Sequence, residues 1–291
     1  MDLSIITVTY QSKEFIDTCI LSVWTHLFTC EYEHIIVDNA SNDGTVELIE
    51  EGYLNYVRLI KNTKNVGFAA ANNQALKEAR GNFVLFLNPD MQVCKGSIDE
   101  FINWAATIPD LGIASCKLVN HKQQAHDALR PSKFPQLRYF FPSFLNIIPF
   151  FCTVHPSSFS SSFRDEIIQE VELVRGAFML IPRQVIDKIG YGFDPKYFIL
   201  YEDVDLCKTM ASLGLRVLYN PSLMCIDFFS RSFLEQSNAW KYLQLCKSLK
   251  TYIKKWHSRW HLFWITPISW LGFIIRIPRW GFRVSWLSLF K

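Results

Sequence analysis

Several signatures are missing from this sequence, and each absence narrows the reading. No GxGxxG motif follows the first hydrophobic run, which argues against a dinucleotide-dependent dehydrogenase. The eight cysteines stand apart at positions 19, 30, 94, 116, 152, 207, 225 and 246, with no CxxC pair and no Cys/His cluster. That argues against a zinc site and a disulfide framework, and fits a reducing cytoplasm. Internal repeats and disorder-prone tracts are absent too. Asp2 stands directly before the first apolar run, so no signal peptide is expected. Acidic residues are scarce in the last stretch. From Ser232 to Lys291, ten Lys/Arg face the single Glu235, so this tail carries +9 and the rest of the chain −6 of the +3 total. An acidic body with a basic tail implies a tail that meets an anionic surface, with no nucleic-acid partner expected.

What is present is ample for one large α/β domain with appendages: 291 residues, 49% hydrophobic. The chain is organised around Phe83–Asp90, FVLFLNPD. Five apolar residues run unbroken, as in a strand buried on both faces, and then stop at Asn88-Pro89-Asp90. A carboxylate is thereby left at the carboxyl edge of a sheet, where ligands bind in open α/β folds. An acidic loop at that place suits a hard divalent cation, although an Asx-Pro turn closing a strand would read the same in isolation.

Along the chain, strands are expected at Leu3–Thr9, His34–Val37, Tyr56–Ile60 and Phe83–Leu87, each followed by a helical pattern. Four strand–helix alternations predict a parallel sheet with right-handed crossovers. The polar turns after the first, second and fourth strands then share one edge, bringing Asp38 of DNASNDGT towards Asp90. Ser97–Glu100 forms a capping-box pattern for a helix to about Ile108, and Ile113–Val119 reads as a strand. From Asn120 to Ser162 regularity fails among recurring prolines and aromatics (Phe134, Tyr139, Phe140, Phe141, Phe144, Phe150, Phe151), the composition of a partner or membrane surface. Val171–Ile181 returns to strand, with Gly176-Ala177 marking a bulge or a close backbone approach. A helix follows over Arg183–Ile189. Glu202, Asp203 and Asp205 then open another, where they would gain from the helix dipole or point partly into a site. Leu206, Met210 and Leu213 are its expected core face, and Arg216–Tyr219 the last strand.

The ordered set TVTYQS, VDNASNDGT, NVGFAAANN, FLNPD, RGAFMLIPR and FDPKYFILYEDVDLC resembles the family 2 inverting glycosyltransferases of the GT-A fold, and most of all bacterial rhamnosyltransferases of O-antigen and capsule assembly. The likeness covers about Asp2 to Ser232, leaving 1–231 as the glycosyltransferase domain, with a long loop region over 120–170, and 232–291 as a tail. It implies that Thr9 and Asp38 hold the nucleobase and ribose with backbone help at Tyr10, and that Asn65, Gly67 and Asn73 border the sugar nucleotide. It further implies that Asn88 and Asp90 stand at the DXD-type position, Asp90 binding Mg²⁺ or Mn²⁺, and that Gly176-Ala177 lines the donor sugar. Glu202-Asp203 matches the family's ED motif, whose aspartate deprotonates the acceptor hydroxyl. The histidine that usually follows the last strand is missing from Cys225–Ser232, so its contact is lost or falls to Asp227 or Arg231. The donor implied is dTDP-L-rhamnose, with a UDP-hexose or UDP-galactofuranose as the rival within the class. A non-catalytic nucleotide-sugar-binding membrane protein is the rival outside it.

In the tail, Trp240–Lys255 reads as a basic amphipathic helix, and Trp260–Ile275 as an apolar run between Arg259 and Arg276. The latter is shorter than the ~20 residues of a spanning helix and is interrupted by Pro267. With tryptophans at 256, 260, 264, 270, 280 and 286, it is expected to lie in the plane of an anionic leaflet; a spanning hairpin and a homodimer surface are the alternatives. This places the protein at the cytoplasmic face of a bacterial inner membrane, peripherally bound. A polyprenyl-diphosphate-linked glycan is the acceptor the resemblance implies.

Overall fold

The computed structural model describes residues 1–137, 163–228 and 236–276. These fall into two compact units, residues 1–134 with 163–228, and residues 135–137 with 236–276. Most of the aromatic segment before residue 163, Arg231, and Trp280 and Trp286 lie outside the described residues.

The first unit is built on one sheet. Its strands are β1 (Leu3–Thr9), β2 (Tyr32–Asp38), β3 (Arg58–Lys61), β4 (Phe83–Leu87), β5 (Met91–Lys95), β6 (Leu111–Val119), β7 (Gln169–Glu170), β8 (Phe178–Pro182) and β9 (Arg216–Asp227). Helices α1 (Lys13–Thr25), α2 (Thr45–Gly52), α3 (Phe68–Leu76), α4 (Ile98–Ala106), α5 (Arg183–Ile189) and α6 (Glu202–Ser212) join them. The sheet runs β3-β2-β1-β4-β8-β6-β9-β5, with β7 pairing β9. Every residue of β1 and β8 is buried, as their continuous apolar runs require.

The first four strands are parallel, as expected, but the sheet as a whole is mixed. β8 pairs antiparallel with both β4 and β6, while β9 pairs parallel with β6 and antiparallel with β5. In an antiparallel pair, β8 puts the residues before it at the carboxyl end of β4. The strand Met91–Lys95 was not expected: its alternation of buried Met91 and Val93 with partly exposed Gln92 and Cys94 is that of an edge strand, and short. β9 runs past Tyr219 to Asp227 because the ladder shifts register between Cys116 and Lys117, and that irregularity accommodates Pro221. In α6, Leu206 and Met210 are core but Leu213 is 37% exposed, being the residue that caps the helix end. Ser97 caps α4 as expected, accepting from Glu100 N–H at 3.4 Å.

The second unit contains α7 (Asn238–Trp256) and α8 (Trp260–Arg276). They pack through Tyr242, whose hydroxyl donates to Ser269 O at 2.7 Å and whose ring lies under the Arg276 guanidinium at 5.1 Å. Tyr242, Leu245, Leu249, Tyr252 and Ile253 form the buried face of α7, as the amphipathic pattern predicts.

Candidate active site

Three motifs distant in sequence are sewn together at the carboxyl end of β4. Proline stops that strand, and Asn88 turns back, its carbonyl accepting from Met91 N–H at 3.2 Å. Asn88 N–H donates to Ala177 O at 3.0 Å, which joins the NPD turn to the start of β8. The adjoining Gly176 N–H donates to Asp203 Oδ2 at 3.2 Å, at the first turn of α6. A Cβ on Gly176 would sit 3.4 Å from the Asp203 Cβ, an ordinary contact, so the tie between the two residues rests on the Gly176 N–H bond. NPD, GA and ED thus form one hydrogen-bonded row, with Gly176 facing Asp203 and Ala177 buried in the core.

The three acidic residues of α6 have different surroundings. Asp205 is fully buried and accepts from the Tyr197 hydroxyl at 3.2 Å, which makes it a structural residue. Glu202 is buried as well, and its Oε2 has no hydrogen-bond partner among the described residues. Asp203 is the half-buried member, accepting from Gly176 N–H and, through Oδ1, from Val204 N–H at 2.8 Å. Burial raises the pKa of both neighbours, that of Glu202 further because Asp203's charge adds to it. For Asp203 the Gly176 N–H and the Arg175 charge pull the other way. A carboxylate that can be reached and is more basic than usual is what proton abstraction from a hydroxyl requires.

Beside this row, the turn after β2 is built around two buried side chains. Asp38 accepts from the Thr9 hydroxyl at 3.0 Å and from Ser41 N–H at 2.9 Å, and Thr9 and Asp38 are register partners in β1 and β2. Both are almost wholly buried, so they order the turn from within the sheet edge. Tyr10 N–H is taken by Ser12 Oγ at 3.2 Å. Asn39, not singled out in the sequence, is the hub: its Nδ2 donates to Asn65 Oδ1 at 2.9 Å and its Oδ1 accepts from Val66 N–H at 3.0 Å and Asn62 Nδ2 at 3.2 Å. Its only sequence signal was its place directly after Asp38. Gly67 has φ +91°, and Phe68 N–H donates to Phe198 O at 2.7 Å, so the segment before α6 lies against the head of α3. Asn73 does not join the site: its carboxamide is committed to the backbone of Gly192 and Phe193 at 2.6–3.1 Å and holds that loop to α3.

Backbone strain gathers here too. Among the described residues, five non-glycine residues have positive φ, and Gln11, Ala40, Leu200 and Tyr201 are four of them. The first two follow β1 and β2; the last two lead directly into Glu202. Each costs on the order of 1–3 kcal/mol and persists only where the surroundings demand it.

Asp90 is 4% exposed and Asp227 equally so. Phe228 N–H donates to Asp90 O at 3.1 Å and Asp227 is the register partner of Met91, so the two acidic residues are backbone neighbours across the β5–β9 ladder. No group of three or more His, Cys, Asp and Glu able to cage a cation occurs among the described residues. The donor chemistry of one or two carboxylates suits Mg²⁺ or Mn²⁺, hard cations that complete their shell with substrate phosphates. Nearby Cys19 is kept a neutral thiol by burial and then by the Asp90 charge. An open cleft of about 730 Å³ between α1 and α2, lined by Lys13, Asp17, Trp24 and Tyr53 among others, contains none of the predicted site residues.

The family model for glycosyl transferase family 2 matches residues 4–171. The chain belongs to that family. It has the GT-A fold and is a glycosyltransferase, as the resemblance led one to expect. It is 27% identical over 256 residues to the N-acetylglucosaminyl-diphospho-decaprenol L-rhamnosyltransferase of Mycobacterium tuberculosis, covering 81% of this chain and 78% of that one. It is 28% identical over 184 residues to the rhamnosyltransferase WbbL of Escherichia coli, covering 60% and 66% respectively. The mannosyltransferase PcManGT from Pyrobaculum calidifontis, solved in complex with GDP-Man and Mn²⁺, superposes with a TM-score of 0.56 at 17% identity, over 94% of this chain and 74% of that one. At that identity the likeness speaks to fold alone.

Proposed function

We propose that this glycosyltransferase moves L-rhamnose from dTDP-L-rhamnose onto a glycan carried on a polyprenyl diphosphate, with inversion at the anomeric carbon, in the assembly of a cell-surface polysaccharide. The observation that carries the mechanism is the row Asn88–Ala177–Gly176–Asp203, which fixes one reachable carboxylate beside the acidic sheet edge. The names of the relatives, two of them rhamnosyltransferases and one acting on a decaprenyl-diphosphate-linked sugar, support the donor and acceptor classes.

In this reading the acceptor hydroxyl oxygen bonds to the anomeric carbon while the bond from that carbon to the diphosphate oxygen breaks. The bonding pair leaves with the nucleoside diphosphate, and the hydroxyl proton passes to Asp203. One carboxylate suffices, because inversion needs no covalent intermediate. Asp90 and Asp227 would hold a divalent cation, which when bound offsets the charge growing on the departing diphosphate. The turn ordered by Thr9, Asp38 and Asn39 would receive the nucleoside. The reaction is assigned to the cytoplasmic face of the bacterial inner membrane.

The test is a donor panel. Purified protein with Mg²⁺ or Mn²⁺ is melted in the presence of dTDP-rhamnose, UDP-glucose, UDP-galactose and UDP-galactofuranose, and donor cleavage is followed. Metal-dependent stabilisation and slow cleavage with dTDP-rhamnose are expected. Preference for a UDP-sugar would overturn the rhamnosyl assignment and leave the chemistry standing. No response to any nucleotide would overturn the site itself.

A further inference from the structure

Helix α8 wears its apolar residues on the outside. Trp260 is 69% exposed and Phe263 75%, and Pro267, Trp270, Leu271, Ile274 and Ile275 are exposed as well. At about 100° per residue these seven positions fill an arc of about 140°. The opposite arc holds Ile265, Ser269, Gly272, Phe273 and Arg276, all buried. The helix therefore has apolar residues on both arcs: Ile265 and Phe273 pack inside its own unit with Ser269, Gly272 and Arg276, while Trp260, Phe263 and Trp270 face out. An exposed apolar stripe of this extent marks a docking surface.

Charge says what docks there. Residues 236–276 carry seven Lys/Arg and no Asp or Glu. Lys254, Lys255 and Arg259 are exposed at the corner between α7 and α8, directly before the stripe begins at Trp260. A second copy of the chain would set the same seven positive charges against these, which disfavours self-association. Among the described residues no helix is long and apolar enough to cross a membrane.

We infer that α8 lies in the headgroup plane of an anionic phospholipid bilayer, with Phe263, Trp270 and Ile274 inserted and the Lys254–Arg259 corner on the lipid phosphates. Trp260 and Trp270 sit where indole rings prefer to be, at the boundary between headgroup and acyl chain. None of the stripe residues is among the proposed donor-site residues.

The experiment uses the full chain with vesicles of phosphatidylcholine, with or without phosphatidylglycerol, read by co-sedimentation and by the blue shift of tryptophan emission. Binding to the anionic vesicles, weakened by salt, is expected. Phe263→Glu should weaken it by about tenfold or more, since an exposed ring rather than a packed one is replaced. Lys254→Glu and Lys255→Glu should each weaken it by at least about fivefold. An unchanged melting temperature and unchanged donor-induced stabilisation confirm that each variant is folded. No binding to anionic vesicles overturns the proposal, as does equal binding to neutral ones. A dimer in sedimentation velocity that Phe263→Glu dissolves, with no vesicle binding, would assign the stripe to a second copy instead.

Discussion

Replacing Glu202 by glutamine separates the two carboxylates at the head of α6. Burial, and then the neighbouring Asp203 charge, push the Glu202 pKa up to about 8 from an ordinary 4.5. Burial raises Asp203 too, but hydrogen bonds from Gly176 and Val204 and the Arg175 charge favour its ionised form. The pair therefore loses its first proton mainly from Asp203 and its second mainly from Glu202. With its pKa pushed up to about 8, Glu202 keeps its proton near neutrality, and the proposed mechanism gives the base role to Asp203. At roughly 1.4 kcal/mol per unit, ionising Glu202 in place costs on the order of 5 kcal/mol. A carboxyl whose folded pKa is raised lends stability fully below its unfolded pKa, here 4.5, and loses it as pH rises through the folded value, about 8. Glu202→Gln has no proton to lose, so its melting temperature should fall less than that of the parent as pH rises from neutral through about 8. Its transfer rate should stay within about tenfold, while Asp203→Asn should lose roughly 10²–10⁴ in kcat with donor binding retained. The assay is transfer to a lipid-linked acceptor across pH, with donor-induced melting shifts as the binding control. If Glu202→Gln suffers the large loss and Asp203→Asn does not, the assignment of the base is wrong.

Three further outcomes follow from the geometry. Gly67→Ala, at φ +91° and with its new Cβ 2.7 Å from Phe198 O, should destabilise by about 2 kcal/mol or more and weaken the donor-induced melting shift. Asn39→Ala removes the buried amide that ties Asn62, Asn65 and Val66 together, and should cost about 3 kcal/mol in chemical denaturation. Against the upward pull of burial, the N–H groups of Phe28, Thr29 and Cys30 hold Asp99 well below the usual carboxylate range. Its contribution is present above its unfolded pKa and lost as pH falls towards the folded one, so Asp99→Asn should be less stable than the parent at neutral pH by about 2 kcal/mol, with the gap closing on acidification.

The parallel half of the sheet was legible because its strands announce themselves. LSIITVT and FVLFL are unbroken apolar runs, and each ends on a polar turn whose proline or serine marks the edge. The antiparallel half was not, because direction is set by pairing rather than by local pattern. Nothing in FMLIP says that it inserts between β4 and β6 running the other way. MQVCK, half polar and five residues long, carries too weak an alternation to stand out beside the turn that precedes it. The site divides along the same line. Asp203 and Asp90 were legible as carboxylates after apolar runs. The hub role of Asn39 was not, since an asparagine in a turn looks the same whether it ties down the loop at residues 62–66 or faces water. Asn73 shows the converse, a motif residue whose amide is used up in holding a loop.

The mixed topology bears directly on the chemistry. A wholly parallel sheet would deliver only turns of one kind to its carboxyl edge, each followed by a helix beginning there, which suits the phosphates and nucleoside of a donor. On the proposed mechanism, attack from the opposite side of the sugar needs a base that arrives from elsewhere. β8 meets that need: because it runs antiparallel, the residues before it, Gly176 and Ala177, sit beside the end of β4. Their backbone N–H and C=O groups then bind the helix that carries Asp203 on one side and the NPD turn on the other. A Cβ at position 176 would meet Asp203 at an ordinary contact distance, so it is the Gly176 N–H bond that holds the carboxylate at the edge. The antiparallel strand that local pattern could not reveal is therefore the element that, on the proposed mechanism, brings the base to the donor edge.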